Sequence, residues 1–185
     1  RILLQEGYSA RAVVLRLSDE FSENTSANFT LLHQLAPDNI KILEEGLFVT
    51  DLPESIVIID ALFGIGLNRT LQGWVANFVE ELNHLPNIKI AIDMPSGLPA
   101  DRLPSSIDVV LKATHTLSFQ FYKRSFLHPE SADYVGKIHL LDIGLNRKFI
   151  KAVHSKYQVL TNDIINTIYK PRKRFSHKGN YGKAM

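Results

Sequence analysis

The chain has 185 residues, 45% hydrophobic and 22% charged, with no cysteine and a formal charge of +2. That length supports one domain with a full core, the composition is that of an ordinary globular fold, and the lack of cysteine excludes disulfides, thiolate zinc sites and a Cys nucleophile and suits a cytoplasmic setting. The stretch 170–185 holds six Lys or Arg and no acid, leaving 15 basic against 19 acidic residues elsewhere, a net −4; this argues against a nucleic-acid partner, which needs a basic folded face, and no apolar run approaches the roughly 18 residues of a membrane span.

In chain order, Arg1-Ile2-Leu3-Leu4-Gln5-Glu6-Gly7 reads as the last turns of a helix closed by a C′ glycine, with a strand and loop expected before it. Residues 10–17 are apolar and β-branched enough for a strand. Residues 24–35 have helical spacing, with Ser22 or Asn24 as cap. Residues 40–43 predict a strand. Ser55-Ile56-Val57-Ile58-Ile59 is a continuous apolar run, the pattern of a strand buried on both faces. Over 71–85, Trp74, Phe78 and Leu82 recur every four residues beside Leu71, Val75 and Leu85, which predicts an amphipathic helix that Pro86-Asn87 ends. Residues 88–92 predict another buried strand, 114–119 and 137–141 two later ones, and 163–169 a short helix.

Lys170-Pro171-Arg172-Lys173-Arg174 reads as a linker, and His177-Lys178-Gly179-Asn180-Tyr181-Gly182-Lys183 as the opening of something further. Both ends are expected to be internal to a longer polypeptide. Strand and helix alternate, so the expected fold is α/β: a three-layer Rossmann-like sandwich with a mainly parallel sheet.

In such a sheet, ligands bind beyond the carboxyl ends of the strands. Two predicted strands end alike, each with an Asp before a glycine-containing loop. One gives Asp60-Ala61-Leu62-Phe63-Gly64-Ile65-Gly66-Leu67-Asn68-Arg69-Thr70; the other gives Asp93-Met94-Pro95-Ser96-Gly97-Leu98. On neighbouring strands, Asp60 and Asp93 are expected to face one crevice. The loop 64–70 leads into the helix predicted over 71–85, where free N–H groups, the helix terminus and Arg69 suit a phosphate. A cation held by Asp60 and Ser96 would relieve repulsion between that phosphate and Asp60, and oxygen-only ligands favour a hard, non-transition ion.

Plainer readings exist. An Asp at a strand end often caps a turn. Gly64-x-Gly66 is neither the dinucleotide fingerprint, because Arg69 stands where the third Gly belongs, nor a P-loop. Ser96 is not in a Gly-x-Ser-x-Gly elbow. The seven His residues read as surface or core positions; Lys123, after a strand, could reach toward the crevice, but a lone Lys there is usually solvated.

At these loops the chain resembles the YjeF N-terminal family, the NAD(P)HX epimerases. The resemblance rests on residues 60–67, on Ile92-Asp93-Met94-Pro95-Ser96-Gly97-Leu98-Pro99-Ala100-Asp101, and on Ala113-Thr114-His115-Thr116-Leu117-Ser118-Phe119 with Lys123, Tyr134-Val135-Gly136-Lys137 and Asp142-Ile143-Gly144. It covers about residues 1–150 and implies a Rossmann-like epimerase domain over 1–169. Residues 170–185 would then be a basic linker and the start of a ribokinase-like, ADP- or ATP-dependent dehydratase domain, which His177-Lys178-Gly179-Asn180-Tyr181-Gly182 resembles.

The resemblance implies interconversion of the R and S forms of hydrated NADH and NADPH, with the dinucleotide as substrate and not redox cofactor. It implies potassium on Asp60 and Ser96, substrate phosphates on Gly64, Ile65, Gly66, Leu67, Asn68, Arg69 and Thr70, and Asp93 in contact with the hydrated nicotinamide; its place at a strand end, where the reactive end of the ligand should lie, makes Asp93 the expected catalytic residue, exchanging a proton there. A homodimer is compatible with it; nucleic acid and membrane are not expected partners. One family piece, the Asn-Gly-Gly-Asp loop expected before the first helix, does not occur in this sequence. The alternatives are a non-catalytic nucleotide-binding or scaffold domain attached to a dehydratase, and kinase or dehydratase chemistry belonging to the part after His177.

Overall fold

The computed structural model describes residues 1–17, 20–46, 52–67, 69–169 and 171–181. It divides into two compact units, Arg1–Gly144 and Leu145–Met185. In the first, helix α1 (Ile2–Gln5) ends as expected at Gly7, whose φ is +85°. Gly7 and Tyr8 donate backbone hydrogen bonds to Leu4 and Leu3, the paired bonds of a Schellman stop. Strand β1 (Ala12–Leu15), helix α2 (Glu23–Leu35) and strand β2 (Ile40–Leu43) form a βαβ unit with the two strands parallel. Ser22 caps α2 by accepting from the Thr25 N–H.

A second, four-stranded sheet has the order β3-β4-β5-β6, parallel throughout. Its strands are β3 (Ile58–Asp60), β4 (Lys89–Ile92), β5 (His115–Phe119) and β6 (Lys137–Leu141), and helix α3 (Gly73–His84) crosses from β3 to β4. Both sheets thus agree with the α/β, parallel-strand expectation. A short helix α4 (Ala132–Val135) leads into β6.

The core lies against one face of the larger sheet. Ala76, Phe78, Val79 and Leu82 of α3 pack with Leu15, Leu43, Leu71 and Leu111, and Ile58 lies against them. Met94, Leu98, Val110, Phe126 and Val135 form a neighbouring cluster that takes in Ile138. The opposite face is different. The prediction that the 55–59 run is buried on both faces does not hold: Ile59 is 49% exposed, and Ile56 and Val57 are exposed before the strand begins. Alternation along β3 directs Ile58 and Asp60 to the packed face and Ile59 to the other. Among the described residues of this unit, Ile90, Ile92, Leu117 and Phe119 on that second face are only partly buried or exposed.

The second unit holds α5 (Arg147–Ala152) and α6 (Asn162–Ile168), capped by Asn146 and Thr161 and with no buried residue. Among the described residues no helix is long and apolar enough to cross a membrane.

The α3 packing predicts that Phe78→Ala, at a side chain 4% exposed, lowers unfolding free energy by about 3–5 kcal/mol. Urea denaturation checks it; a loss below 1 kcal/mol would contradict this account of the core.

Candidate functional site

Asp60 ends β3 and is 3% exposed. Its carboxylate accepts from the Ser96 N–H at 2.8 Å, the Ser96 hydroxyl at 2.6 Å and the Leu62 N–H at 3.3 Å. Ser96, fully buried, accepts in turn from the Phe63 N–H at 3.0 Å. Burial raises the Asp60 pKa, against the lowering effect of the Ser96 and Leu62 hydrogen bonds. Among the described residues no Lys, Arg or His side chain pairs with it. The turn after Ser96 depends on Gly97: its φ is +91°, and a Cβ there would collide with the Val109 carbonyl oxygen.

Asp93 follows β4 and is one of two non-glycine residues in the left-handed region among those described, with φ +66°; Gln120, after β5, is the other at +62°. Such conformations are uncommon outside glycine, with Asp the more tolerant, and they concentrate at functional sites. Asp93 Oδ1 accepts from the Lys123 ammonium at 2.7 Å and from the Phe119 N–H at 3.1 Å. Oδ2 takes no hydrogen bond among the described residues. Asp93 lines a cleft of about 380 Å³ with Ile92, Phe119 and the loop from Ala61 to Gly66.

The two acids therefore do not share one crevice as expected. Asp93 lines the cleft; Asp60 is buried and accepts from the Leu62 N–H at the start of the loop that also lines it. The cause is the side-chain alternation of β3, which sends Asp60 to the same covered face as Ile58.

Gly64, Ile65 and Gly66 line this cleft; Leu67 and Arg69 line a second one, of about 340 Å³, which Ile65 also lines. Asn68 lies outside the described residues. Helix α3 begins at Gly73, two residues later than predicted, so the loop meets the helix through Leu71 and Gln72. Thr70 is held by its hydroxyl, which donates to Asp108 at 2.9 Å.

Asp108 was not legible as a site residue. It accepts both Arg102 nitrogens at 2.6 and 2.7 Å, and the Ser105 N–H and hydroxyl at 2.9 and 2.8 Å. Arg102, followed by Ser105, holds the Asp108 carboxyl far below the usual range, against an opposing push from burial. The Ser105-x-x-Asp108 spacing is a local turn signal, but the reach to Thr70, 38 residues away, is tertiary. Lys123 corrects the solvated reading: its side chain is 10% exposed and that of Asp93 15%. The short turn after β5 folds it back over the strand end, where Ser118 and Phe119 also accept from it.

The chain is similar in sequence to known proteins. The family model described as YjeF-related protein N-terminus matches residues 1–125. The bifunctional NAD(P)H-hydrate repair enzyme Nnr of Vibrio cholerae is 37% identical over 139 residues, covering 74% of this chain and 28% of the relative. Its namesake in Escherichia coli is 31% identical, covering 72% and 26%. An NAD(P)H-hydrate epimerase of Oenococcus oeni is 32% identical over 97 residues, covering 52% and 46%. The chain thus spans about a quarter of the two bifunctional relatives.

Because Asp108 is ionised and bonded in the fold, its contribution to stability is present above the ordinary carboxylate range and is lost as pH falls below about 4. Asp108→Asn is expected to cost about 2 kcal/mol at pH 7, with half-exposed Arg102 screening the pair, and to flatten the acid side of the stability profile. Urea titrations at pH 3 to 7 read both; an unchanged acid limb would refute the assignment.

The match over residues 1–125, with the acid-tipped strands and glycine loop inside it, places this chain in the YjeF N-terminal family.

Proposed function

We propose that this domain interconverts the R and S epimers of hydrated NADH and NADPH, within a longer protein in which a dehydratase domain follows the basic segment at 170–174. The observation that carries the reading is the setting of Asp93: one carboxylate oxygen fastened, the other without a hydrogen bond among the described residues, in the wall of a cleft facing a glycine loop.

A Cβ at Gly64 or Gly66 would meet no atom within 4 Å, and neither residue has a positive φ. The fold itself does not require glycine there, whereas a phosphate drawing close to the backbone would. Gly64, Ile65, Gly66, Leu67, Asn68, Arg69 and Thr70 are proposed as the phosphate-binding stretch.

The hydroxyl-bearing carbon of the hydrated ring adjoins the ring nitrogen. Inversion there requires either loss of the hydroxyl as water and its return to the other face, or opening of the C–N bond to an aldehyde and reclosure. The first route needs a proton delivered to the departing hydroxyl and taken back when water returns; the second needs the hydroxyl proton taken up and given back on reclosure; Asp93 is the side chain in the cleft suited to exchange it.

Potassium fits the residues beneath the loop. Asp60 is a buried carboxylate with hydrogen-bond donors and no cationic partner among the described residues, and a charge so buried calls for a counter-charge. Asp60 and Ser96 would hold the ion, and the ion would supply positive charge beneath the loop that takes the substrate phosphates.

Two experiments test this. With the full-length protein and the R epimer, chromatography should show the S epimer forming. Asp93→Asn should slow it by at least about 100-fold with NADPH binding unchanged; a fully active Asp93→Asn protein rejects the proton role. Replacing sodium by potassium should raise the thermal midpoint by several degrees, as a ligand well above its Kd does. Asp60→Asn should abolish that rise; a rise that survives in Asp60→Asn removes the ion from this position.

A further inference from the structure

We propose that Lys123 is the positioning residue for Asp93, fixing which carboxylate oxygen is presented to the substrate; this builds on the epimerase reading above. An Asp carboxyl rotates in a broad, two-fold well, so a carboxylate on a cleft wall has no inherent preference for either oxygen. Here Oδ1 receives two donors, the Lys123 ammonium at 2.7 Å and the Phe119 N–H at 3.1 Å. That leaves Oδ2 as the oxygen available to a ligand.

The ammonium is itself held. Besides Asp93, it donates to the Ser118 hydroxyl and the Phe119 carbonyl, each at 3.2 Å. Ser118 is fully buried and donates onward to the Phe121 carbonyl at 3.0 Å. Three acceptors use the three ammonium protons, and the side chain is 10% exposed. A lysine so engaged has no lone pair to offer as a nucleophile, which rules out a Schiff-base role in this arrangement. It is a rigid strut from the end of β5 to the acid after β4.

The strut also acts on the backbone. Asp93 is held at φ +66°, and its N–H donates to the Leu117 carbonyl at 2.8 Å. Main chain and side chain of Asp93 are thus both tied to the 117–123 segment. Losing the strut leaves the acid in place with only the longer Phe119 N–H bond to orient its carboxylate, and misorientation by about an ångström costs on the order of 100-fold in rate.

The test uses the full-length protein with Lys123→Met and Lys123→Ala, each checked by circular dichroism and thermal melting. In folded Lys123→Met, kcat for epimerisation should fall by about 30- to 100-fold with KM within threefold. Ethylammonium should restore Lys123→Ala at least tenfold and leave Lys123→Met unchanged, a recovery that a purely structural lysine would not show. A folded Lys123→Met enzyme with kcat within threefold of the parent, a loss confined to KM, or no amine recovery overturns the proposal. Should Lys123→Met fail to fold, Lys123→Gln is judged by the same split of kcat from KM. An inactive parent protein defeats the epimerase reading and this inference with it, whereas an active parent with an active, folded Lys123→Met defeats the inference alone.

Discussion

A carboxylate withdrawn from water at the end of β3 is the constraint around which the site is arranged. Leaving Asp60 buried and unbonded would be costly, and Ser96 meets the need with both its N–H and its hydroxyl. The same hydroxyl receives the Phe63 N–H. One residue thus gives the buried carboxylate two hydrogen bonds, ties the ends of β3 and β4 together and anchors the start of the glycine loop. The Ser96 carbonyl accepts from Leu111, so the link extends into the main core cluster.

The loop is held at its two ends by different acids. Asp60 and Ser96 secure it at Phe63, and Asp108 secures it at Thr70. Between these anchors Gly64 and Gly66 have empty space where a side chain would stand. The three acids differ because their surroundings differ: Asp60 is buried with N–H and O–H donors, Asp93 sits on a cleft wall beside a lysine, and Asp108 is clasped by a guanidinium.

Much of this was legible from sequence. The span of β2, the Ser22 cap and the Gly7 stop follow from local chemistry, and all are found. An Asp at the end of each of two strands followed from two similar strand–Asp–loop patterns; that the strands are neighbours came from the fold. What failed was directional. An apolar run such as 55–59 says that a strand is present and not which faces have neighbours, so the exposure of Ile59 and the burial of Asp60 were both missed. Lys123 depended on the path of the three residues between β5 and it, and the Arg102–Asp108–Thr70 cluster on chain segments that meet only in the folded state; neither leaves a periodic trace.

The backbone at Asp93 carries a consequence for how such a protein changes under selection. A left-handed conformation is easiest for glycine and asparagine, so relief of local strain and retention of a carboxylate pull in opposite directions at this position. Selection for heat resistance alone would favour discarding the acid. With Asp93 as the proposed proton carrier, a library sorted only for durable folding would tend to return well-behaved proteins that no longer work.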